Sequence, residues 1–272
     1  MWLPDPVAVN FVGLELRWYS LLFATGLACV WALMRLAATM RQLSPATDID
    51  RLMLWISVGT VFGGRIGDLI FYRLFETKIL LKIFIITEGG MSFHGGLIGV
   101  AIAILIFAAL NGNSSLKLGD LAAGAAPIGL FCGRIGNLIN QELFGIPTNV
   151  HWGIVFPAVD NLARHPSQLY EAFFEGIVLF SILYPQLYVQ KIVKRPGLIL
   201  GQFLVYYAVI RISIEPLRAD AIWFDTRHFG VTLGQLYCVP MLAIGLLLIW
   251  KARHVGNAKA TRGSSPNLHG AS

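Results

Sequence analysis

Seven long apolar segments dominate the sequence, and they constrain its fold more than any other feature. They span residues 18–34, 52–71, 93–110, 116–139, 169–188, 197–214 and 231–250. A helix needs about 20 predominantly apolar residues to cross the hydrocarbon core of a bilayer. Only 13% of the 272 residues are charged, about half the share expected of a soluble domain. We therefore predict an all-α polytopic integral membrane protein with about seven transmembrane helices.

The basic residues between these segments predict the orientation of the chain, because Lys and Arg concentrate in cytoplasmic loops. With the amino terminus outside, eleven of them lie on the inner side: Arg35, Arg41, Arg51, Lys117, Lys191, Lys194, Arg195, Lys251, Arg253, Lys259 and Arg262. Six lie in the outer loops: Arg73, Lys78, Lys82, Arg164, Arg218 and Arg227. We therefore expect the amino terminus outside and the carboxyl terminus in the cytoplasm. The net charge of +6 then comes mostly from basic residues that set this orientation, and says little about binding partners.

The domain organisation follows from the same pattern. Residues 1–254 form a single transmembrane domain in this interpretation. The connection 141–168 mixes aromatic residues and proline with polar residues, so we expect it to form a small extracytoplasmic cap. Residues 255–272 are polar, and we expect them to form a disordered cytoplasmic tail.

Several classes of ligand are not expected. The chain has three cysteines and no C-x-x-C motif, and its histidines show no metal-ligand spacing, so neither a disulfide framework nor a metal site is indicated. No phosphate-binding loop or dinucleotide fingerprint is present. No Lys/Arg tract is interleaved with aromatic residues, so we expect no nucleic-acid partner and no cofactor.

The most informative polar stretch is GRIGNLINQELFG, residues 133–145. In a continuous helix, Arg134, Asn137 and Gln141 would share one face. Gly129 and Gly133 are spaced as in closely packed membrane helices. An ionisable side chain in hydrocarbon costs about 2.5–3.5 kcal/mol on insertion scales. This stretch therefore indicates either a ligand site at the interface or a structural ion pair.

A second polar cluster lies near the outer end of the sixth segment, where Arg211, Glu215 and Arg218 recur at helical spacing. One interpretation is that Arg211 and Glu215 simply neutralise each other. The additional Arg218 leaves the face net positive, which favours an anion site instead. The stretch GRIGDLI at 64–70 repeats GRIGNLI of 133–139, with Asp68 in place of Asn137. For Arg65 and Asp68, a local ion pair is as good an interpretation as a ligand site.

His94 opens the third segment among several glycines, in GGMSFHGGLIG at 89–99. Histidine has an ordinary pKa near 6.5, so His94 is a candidate general base, and a hydrogen-bonded packing role is the alternative. The glycines around it would allow backbone to approach a bulky group. Trp18 and Tyr19 stand at the outer end of the first segment.

Together these residues suggest a site for an anionic phospholipid head group, since guanidinium groups match phosphate oxygens. Two classes of protein fit, a lipid-modifying enzyme and a lipid transporter or scramblase. A transporter places polar residues near the bilayer midplane on broken helices. Here they gather towards one face, which favours the enzyme.

The sequence resembles the prolipoprotein diacylglyceryl transferases of bacterial cytoplasmic membranes. The motifs that carry the resemblance stand in order along nearly the whole chain: WY (18–19), GGRIG (63–67), GGMSFHGGLIG (89–99), GRIGNLINQELFG (133–145), RHPSQLYE (164–171) and RISIEPLR (211–218). The resemblance implies a multi-pass enzyme of the inner membrane. It would transfer the diacylglyceryl group of phosphatidylglycerol to the lipobox cysteine of a prolipoprotein signal peptide, with release of glycerol 1-phosphate.

The resemblance also implies roles for matching residues. Arg134 and Arg211 would neutralise the phosphate, and Asn137 would bind the head group. Gly145 would permit close approach of the backbone, while Glu142 and Glu215 would orient the arginines. The thiol would be activated by His94 or Tyr19, two alternatives that stay open here. No role is implied for Arg65, Arg218 or the segment 165–171.

Two positions depart from the family pattern. Leu138 stands where the family commonly has Phe, which should change only packing. Gln141 stands where a small residue is common, which we expect to alter the cap slightly beside Glu142.

Overall fold

The computed structural model describes residues 4–11, 14–41, 46–72, 92–221 and 230–262. These residues fall into two compact units: a smaller one within Leu27–Ala122, and a larger one within Met1–Gly26 and Ala123–Ser272. Among them are six helices long and apolar enough to cross a membrane. The prediction of an all-α polytopic membrane protein is confirmed.

The helices follow the apolar segments closely. The long ones are α1 (Trp18–Arg41), α2 (Ala46–Tyr72), α3 (Phe93–Asn111), α4 (Ser115–Ile139), α8 (Leu198–Ile214) and α9 (Leu233–Arg262). Many of their apolar side chains point outward, and Leu54 and Leu110 are 69% and 70% exposed. Exposed apolar surface on this scale is typical of a lipid-facing protein.

The fifth apolar segment, 169–188, is helical but is not one uniform helix. It is built from α5 (Ser167–Glu171), a π-helical segment (Ala172–Val178), α6 (Leu179–Leu183) and a 3₁₀ segment (Tyr184–Tyr188), followed by the short α7 (Gln190–Val193). π-helical turns are rare and occur frequently at functional sites. The fifth of the seven predicted crossings therefore consists of several short helical pieces.

In the smaller unit, α2 and α3 pack backbone against backbone along a glycine seam. A Cβ at Gly59 would lie 2.5 Å from the carbonyl oxygen of Gly99, and one at Gly63 would lie 2.5 Å from that of Gly95. Gly95 and Gly99 therefore serve helix packing. This differs from the expectation that the glycines around His94 make room for a bulky group.

The same unit carries an ion pair between α1 and α2. Arg35 Nη1 lies 3.3 Å from Asp50 Oδ1, and the same oxygen accepts a hydrogen bond from Trp31 Nε1 at 2.7 Å. All three side chains are partly exposed, so the pair contributes little to stability.

In the larger unit, residues 141–166 form a small region of short strands and turns, which we call the cap. The extracytoplasmic location predicted for residues 141–168 stays a prediction. Strand β3 (Ile154–Val155) pairs antiparallel with β4 (Ala163–Arg164), and Pro147 forms an isolated bridge to Arg164. Beneath them lies a small hydrophobic core of Leu138, Ile154 and Phe156, against which Phe144 and Leu169 pack. Near the amino terminus a separate hairpin, β1 (Val7–Phe11) and β2 (Leu14–Arg17), leads into α1.

The carboxyl-terminal helix is longer than expected. α9 continues to Arg262, eight residues into the segment 255–272 that we expected to be disordered. Residues 263–272 lie outside the described part of the chain. The prediction of a single transmembrane domain stays a prediction, as does the orientation of the termini.

Candidate active site

The Glu171 carboxylate lies at the centre of the site and contacts three arginines. Its Oε2 is 3.2 Å from Arg134 Nη1. Its Oε1 accepts hydrogen bonds from Arg211 Nη1 and, at 2.8 Å, from Arg218 Nη1. The side chain of Glu171 is fully buried. One carboxylate at the end of α5 thus joins guanidinium groups from α4, from α8 and from the turn after α8.

Two further carboxylates hold the arginines from other sides. Glu175, in the π-helical segment, accepts from Arg134 Nε at 3.2 Å and from Arg134 Nη2 at 3.0 Å through its Oε2. Glu215 Oε2 lies 2.5 Å from Arg211 Nη2, so the ion pair suggested by their spacing is present. The Arg134 and Arg211 side chains keep 11% and 12% of their surface exposed, and through these edges a ligand can reach them.

Arg218 completes the cluster. Its Nε and Nη2 donate to the two carboxylate oxygens of Asp220 at 3.0 and 2.6 Å. Asp220 is about half exposed, whereas Arg218 is buried. In formal charge the three arginines face four carboxylates: those of Glu171, Glu175 and Glu215 are buried, and that of Asp220 is about half exposed. Buried charges are tolerated when they are paired in this way.

Asn137 lies on α4 one turn after Arg134 and is 8% exposed. Within the described residues, its side-chain amide makes no hydrogen bond. Its backbone carbonyl oxygen accepts from the Glu142 N–H at 2.9 Å. A buried carboxamide normally has a partner, so Asn137 is available to a polar group of a ligand.

Tyr19 packs against the same helix. A Cβ at Gly136 would lie 2.9 Å from Tyr19 Cδ2, so the glycine beside Asn137 lets the tyrosine ring approach α4. Both Glu142 and Arg134 are within electrostatic range of Tyr19. The structure therefore places Tyr19 against the stretch of α4 that carries Arg134 and Asn137.

Glu142 makes no ion pair with an arginine in the described part of the chain, in contrast to the orienting role implied by the resemblance. Its exposed carboxylate accepts from Asn140 Nδ2 at 3.2 Å. Its backbone carbonyl accepts from Gln168 Nε2 at 2.6 Å, and the neighbouring Leu143 carbonyl accepts from Ser167 Oγ at 2.8 Å. These two buried polar side chains at the start of α5 attach the cap to the helix that carries Glu171.

Gly145 permits a close approach of backbone, but to other backbone of this chain. Its N–H donates to the His165 carbonyl oxygen at 2.9 Å, and it forms an isolated β-bridge with Arg218. A Cβ at this position would lie 2.5 Å from the same carbonyl oxygen. Gly145 therefore lets the chain segments around His165 and Arg218 meet.

Gln141 does not extend the helical face of Arg134 and Asn137, because α4 ends at Ile139. Its φ angle is +57°, in the left-handed region where glycine is favoured. This backbone is compatible with the small residue that the resemblance leads us to expect at this position. In this chain, Gln141 Oε1 accepts from the Ala158 N–H at 2.9 Å, which joins the end of α4 to the cap.

The sequence predicted close helix packing at Gly129 and Gly133 of α4, and the structure shows it at Gly129. A Cβ at Gly26 of α1 would lie 3.2 Å from the Gly129 Cα. Helices α1 and α4 therefore cross closely at Gly26 and Gly129. A Cβ at Gly133 would meet no described atom within 4 Å. The close contacts with α1 therefore run through Gly129 and Gly136.

His94 belongs to the smaller unit, where it stands in the first turn of α3. Ser92 caps this helix by accepting from the Gly95 N–H at 3.3 Å. The His94 ring stacks edge-on against Phe93, with 5.6 Å between ring centroids. Its part in thiol activation stays a prediction.

The cap carries an ion pair of its own. Arg164 Nε donates to Asp160 Oδ1 at 3.2 Å, and Arg164 also lies over the Phe144 ring. The hydrogen bond from Arg164 lowers the pKa of Asp160 below its ordinary value, and the hydrogen bond from the Leu162 N–H acts in the same direction. The pair therefore favours an ionised Asp160.

No role was assigned from the sequence to three residues of the site: Glu171, which lies in the motif 164–171, and Glu175 and Tyr207, which were not singled out. Tyr207 is fully buried one turn before Arg211 and interacts electrostatically with Arg134 and Glu175. A signal for the two glutamates was present, since both interrupt the apolar segment 169–188 at helical spacing. Ionisable residues in such segments are functional candidates by default. Within the described part of the chain, no group of three or more His, Cys, Asp or Glu side chains could hold a metal ion.

The family model described as prolipoprotein diacylglyceryl transferase matches residues 6–251. The chain belongs to the prolipoprotein diacylglyceryl transferase family. It is 42% identical over 271 residues to the phosphatidylglycerol–prolipoprotein diacylglyceryl transferase of Phenylobacterium zucineum (strain HLK1), covering 91% of this chain and 92% of that relative. It is 43% identical over 253 residues to the protein of the same name from Azospirillum brasilense, covering 92% and 94%.

Membership of the prolipoprotein diacylglyceryl transferase family confirms the resemblance inferred from the motifs. Together with the six apolar helices, it makes the chain a multi-pass protein of the bacterial cytoplasmic membrane. The arginine–glutamate cluster lies within the matched region.

Proposed function

We propose that this protein transfers the diacylglyceryl group of phosphatidylglycerol to the lipobox cysteine of a prolipoprotein signal peptide. The cysteine sulfur attacks the glyceryl carbon that carries the phosphate, and a C–S thioether bond forms. The C–O bond to the phosphate breaks, and its electron pair leaves with glycerol 1-phosphate. The thiol gives up its proton to a base.

One observation carries the proposal: Arg134 and Arg211 share the Glu171 carboxylate and each keep an exposed edge. Two guanidinium groups held side by side match the oxygens of one phosphodiester. In the transition state, negative charge grows on the departing phosphate oxygen. Preorganised cations at that point stabilise the transition state more than the bound substrate.

Other residues complete the binding of the head group. Asn137 supplies a buried carboxamide without a hydrogen bond inside the described chain, which suits a phosphate oxygen or a glycerol hydroxyl. Glu215 fixes Arg211 through their ion pair. Gly145 and Glu142 act through the cap that closes over the carboxyl end of α4, and they shape the mouth of the site.

The attacking nucleophile belongs to the signal peptide, so the enzyme must activate a thiol whose ordinary pKa is about 8.5. Two side chains of this protein are candidates for the base. His94 has suitable chemistry near neutral pH. Tyr19 packs against Gly136, the residue before Asn137 in α4, and it is the competitor or the helper of His94.

The direct test uses purified wild-type protein, phosphatidylglycerol vesicles and a synthetic lipobox peptide. We expect mass analysis to detect the peptide with one diacylglyceryl group in thioether linkage, together with free glycerol 1-phosphate. The same peptide with Ser in place of the lipobox cysteine is the control and should remain unmodified. Movement of lipid between leaflets without a covalent adduct would support the transporter alternative instead.

A further inference from the structure

We propose that Glu171 is a positioning residue for this reaction: it fixes the spacing and orientation of Arg134 and Arg211 around the phosphate. The proposal rests on the transferase function proposed above. It assigns a role to a buried residue of the fifth apolar segment, and that role depends on both oxygens of its carboxylate.

The two Glu171 oxygens serve different arginines. Oε2 faces Arg134 on α4, whereas Oε1 binds Arg211 on α8 and Arg218 beyond it. The separation of two oxygens in one carboxylate is fixed by covalent geometry. Because the side chain is fully buried, it cannot swing away into solvent. The distance between Arg134 and Arg211, which we call the clamp arginines, is therefore set by one rigid group.

Charge makes this group necessary. Three guanidinium groups in a low-dielectric site repel one another strongly. Without a shared anion, Arg134 would move towards Glu175 and Arg211 towards Glu215, which are their separate partners. Removing one partner from a buried ion network leaves an uncompensated charge. Glu171 thus opposes the tendency of the arginines to separate before the phosphate arrives.

The other two glutamates do not share this property. Glu175 binds Arg134, and Glu215 binds Arg211 and lies 4.0 Å from Arg218. Each of them contacts one of the two clamp arginines, whereas Glu171 contacts both. Its position at the end of α5, just before the π-helical segment, places it between α4 and α8.

The substitution Glu171→Gln tests the role with little change in size. A glutamine presents an oxygen to one side and an NH₂ group to the other, so at least one arginine meets a donor instead of an acceptor. We expect kcat to fall about 100-fold, the size of effect seen when one transition-state donor is lost. The KM for phosphatidylglycerol should change by less than about threefold, since the lost alignment acts in the transition state.

A second background separates positioning from simple structural damage. In an Arg134→Lys protein, whose residual activity can be followed in long incubations, Glu171→Gln should cost much less than in wild type, because residues that act as a unit are non-additive. Asp50→Asn is the matched control: it neutralises the carboxylate of the exposed Arg35–Asp50 pair, and its kcat and KM should equal those of wild type.

Several results would overturn the role. A Glu171→Gln protein with wild-type kcat and KM contradicts it, as does a raised KM at unchanged kcat or an equal loss in both backgrounds. If Glu171→Gln does not accumulate in the membrane, Glu171→Asp keeps the charge but shortens the reach, and the same criteria apply to it. If the wild-type protein itself gives no adduct, both the transferase proposal and the positioning role fail. If the wild-type protein is active and the variant is equally active, only the positioning role of Glu171 is refuted.

Discussion

Arg134 Nη1 lies 3.2 Å from Oε2 of Glu171, although the two residues stand on different helices. The glutamate comes from the segmented fifth crossing, and the arginine comes from the helix that carries the longest family motif. Their contact joins the two elements at the point where a phosphate is expected to bind.

Replacement of either clamp arginine by alanine should strongly lower the rate of transfer. Arg134→Ala or Arg211→Ala removes a cation from the departing phosphate, a loss that typically costs about 10²–10³ in rate. Lipidation of a reporter prolipoprotein, read as a mass increase, measures the effect. Both variants should still be found in the membrane fraction, and normal lipidation by either one would contradict the phosphate assignment.

The choice between the two candidate bases rests on a comparison of pH profiles. General-base catalysis contributes about 10²–10⁴ in rate, so His94→Gln should lose that factor and flatten the dependence of kcat on pH if His94 takes the thiol proton. Tyr19→Phe should then keep the wild-type profile. If His94→Gln keeps the wild-type rate and profile, a general-base role for His94 is excluded and Tyr19 becomes the candidate.

Two neighbouring glycines on α4 offer a matched pair for the position of Tyr19. A Cβ at Gly136 would press on the Tyr19 ring, while one at Gly133 would meet no described atom within 4 Å. We expect Gly136→Ala to lower both thermal stability and transfer, since overpacking costs about 1–3 kcal/mol. Gly133→Ala should be as stable as wild type or more so, because alanine favours helix over glycine. Equal melting temperatures for the two variants would contradict the close contact with Tyr19.

The cap should loosen in acid. The hydrogen bond from Arg164 lowers the pKa of Asp160 in the folded protein, so the ion pair stabilises the cap at pH values above the ordinary pKa of aspartate. That contribution is lost as pH falls through the lowered pKa. Hydrogen exchange of the amides in β3 and β4 should therefore speed up relative to the rest of the chain at low pH. In Asp160→Asn this additional acid sensitivity should be missing, and an unchanged pH response would refute the linkage.

Much of the fold followed from hydropathy. The positions of α1, α2, α3, α4, α8 and α9 match the apolar segments, because the length of apolar sequence needed to cross a bilayer is a local property. The fifth segment was located correctly but its interior was not. Within its π-helical piece, Glu175 pairs with Arg134 and Gly176 lies against Phe131 of α4, and such contacts leave no periodic pattern in the sequence.

The sequence predicted which residues belong to the site better than it predicted which of them contact each other. Arg134, Asn137, Arg211 and Glu215 were identified because polar residues near hydrocarbon are costly and therefore conspicuous. The pairing of Arg211 with Glu215 followed from helical spacing, since it lies within one turn. Gln141 was assigned to the wrong environment because the end of α4 at Ile139 cannot be read from helical periodicity.

Local composition and motifs were enough to identify a membrane protein, its polar residues near hydrocarbon, and its family. The contacts of Glu171 with three arginines, of Gly95 and Gly99 along the α2–α3 seam, and of Gly145 with His165 became known from the folded chain alone. Each of these depends on side chains or backbone brought together from distant parts of the chain, where close packing and the cost of burying charge select the partners.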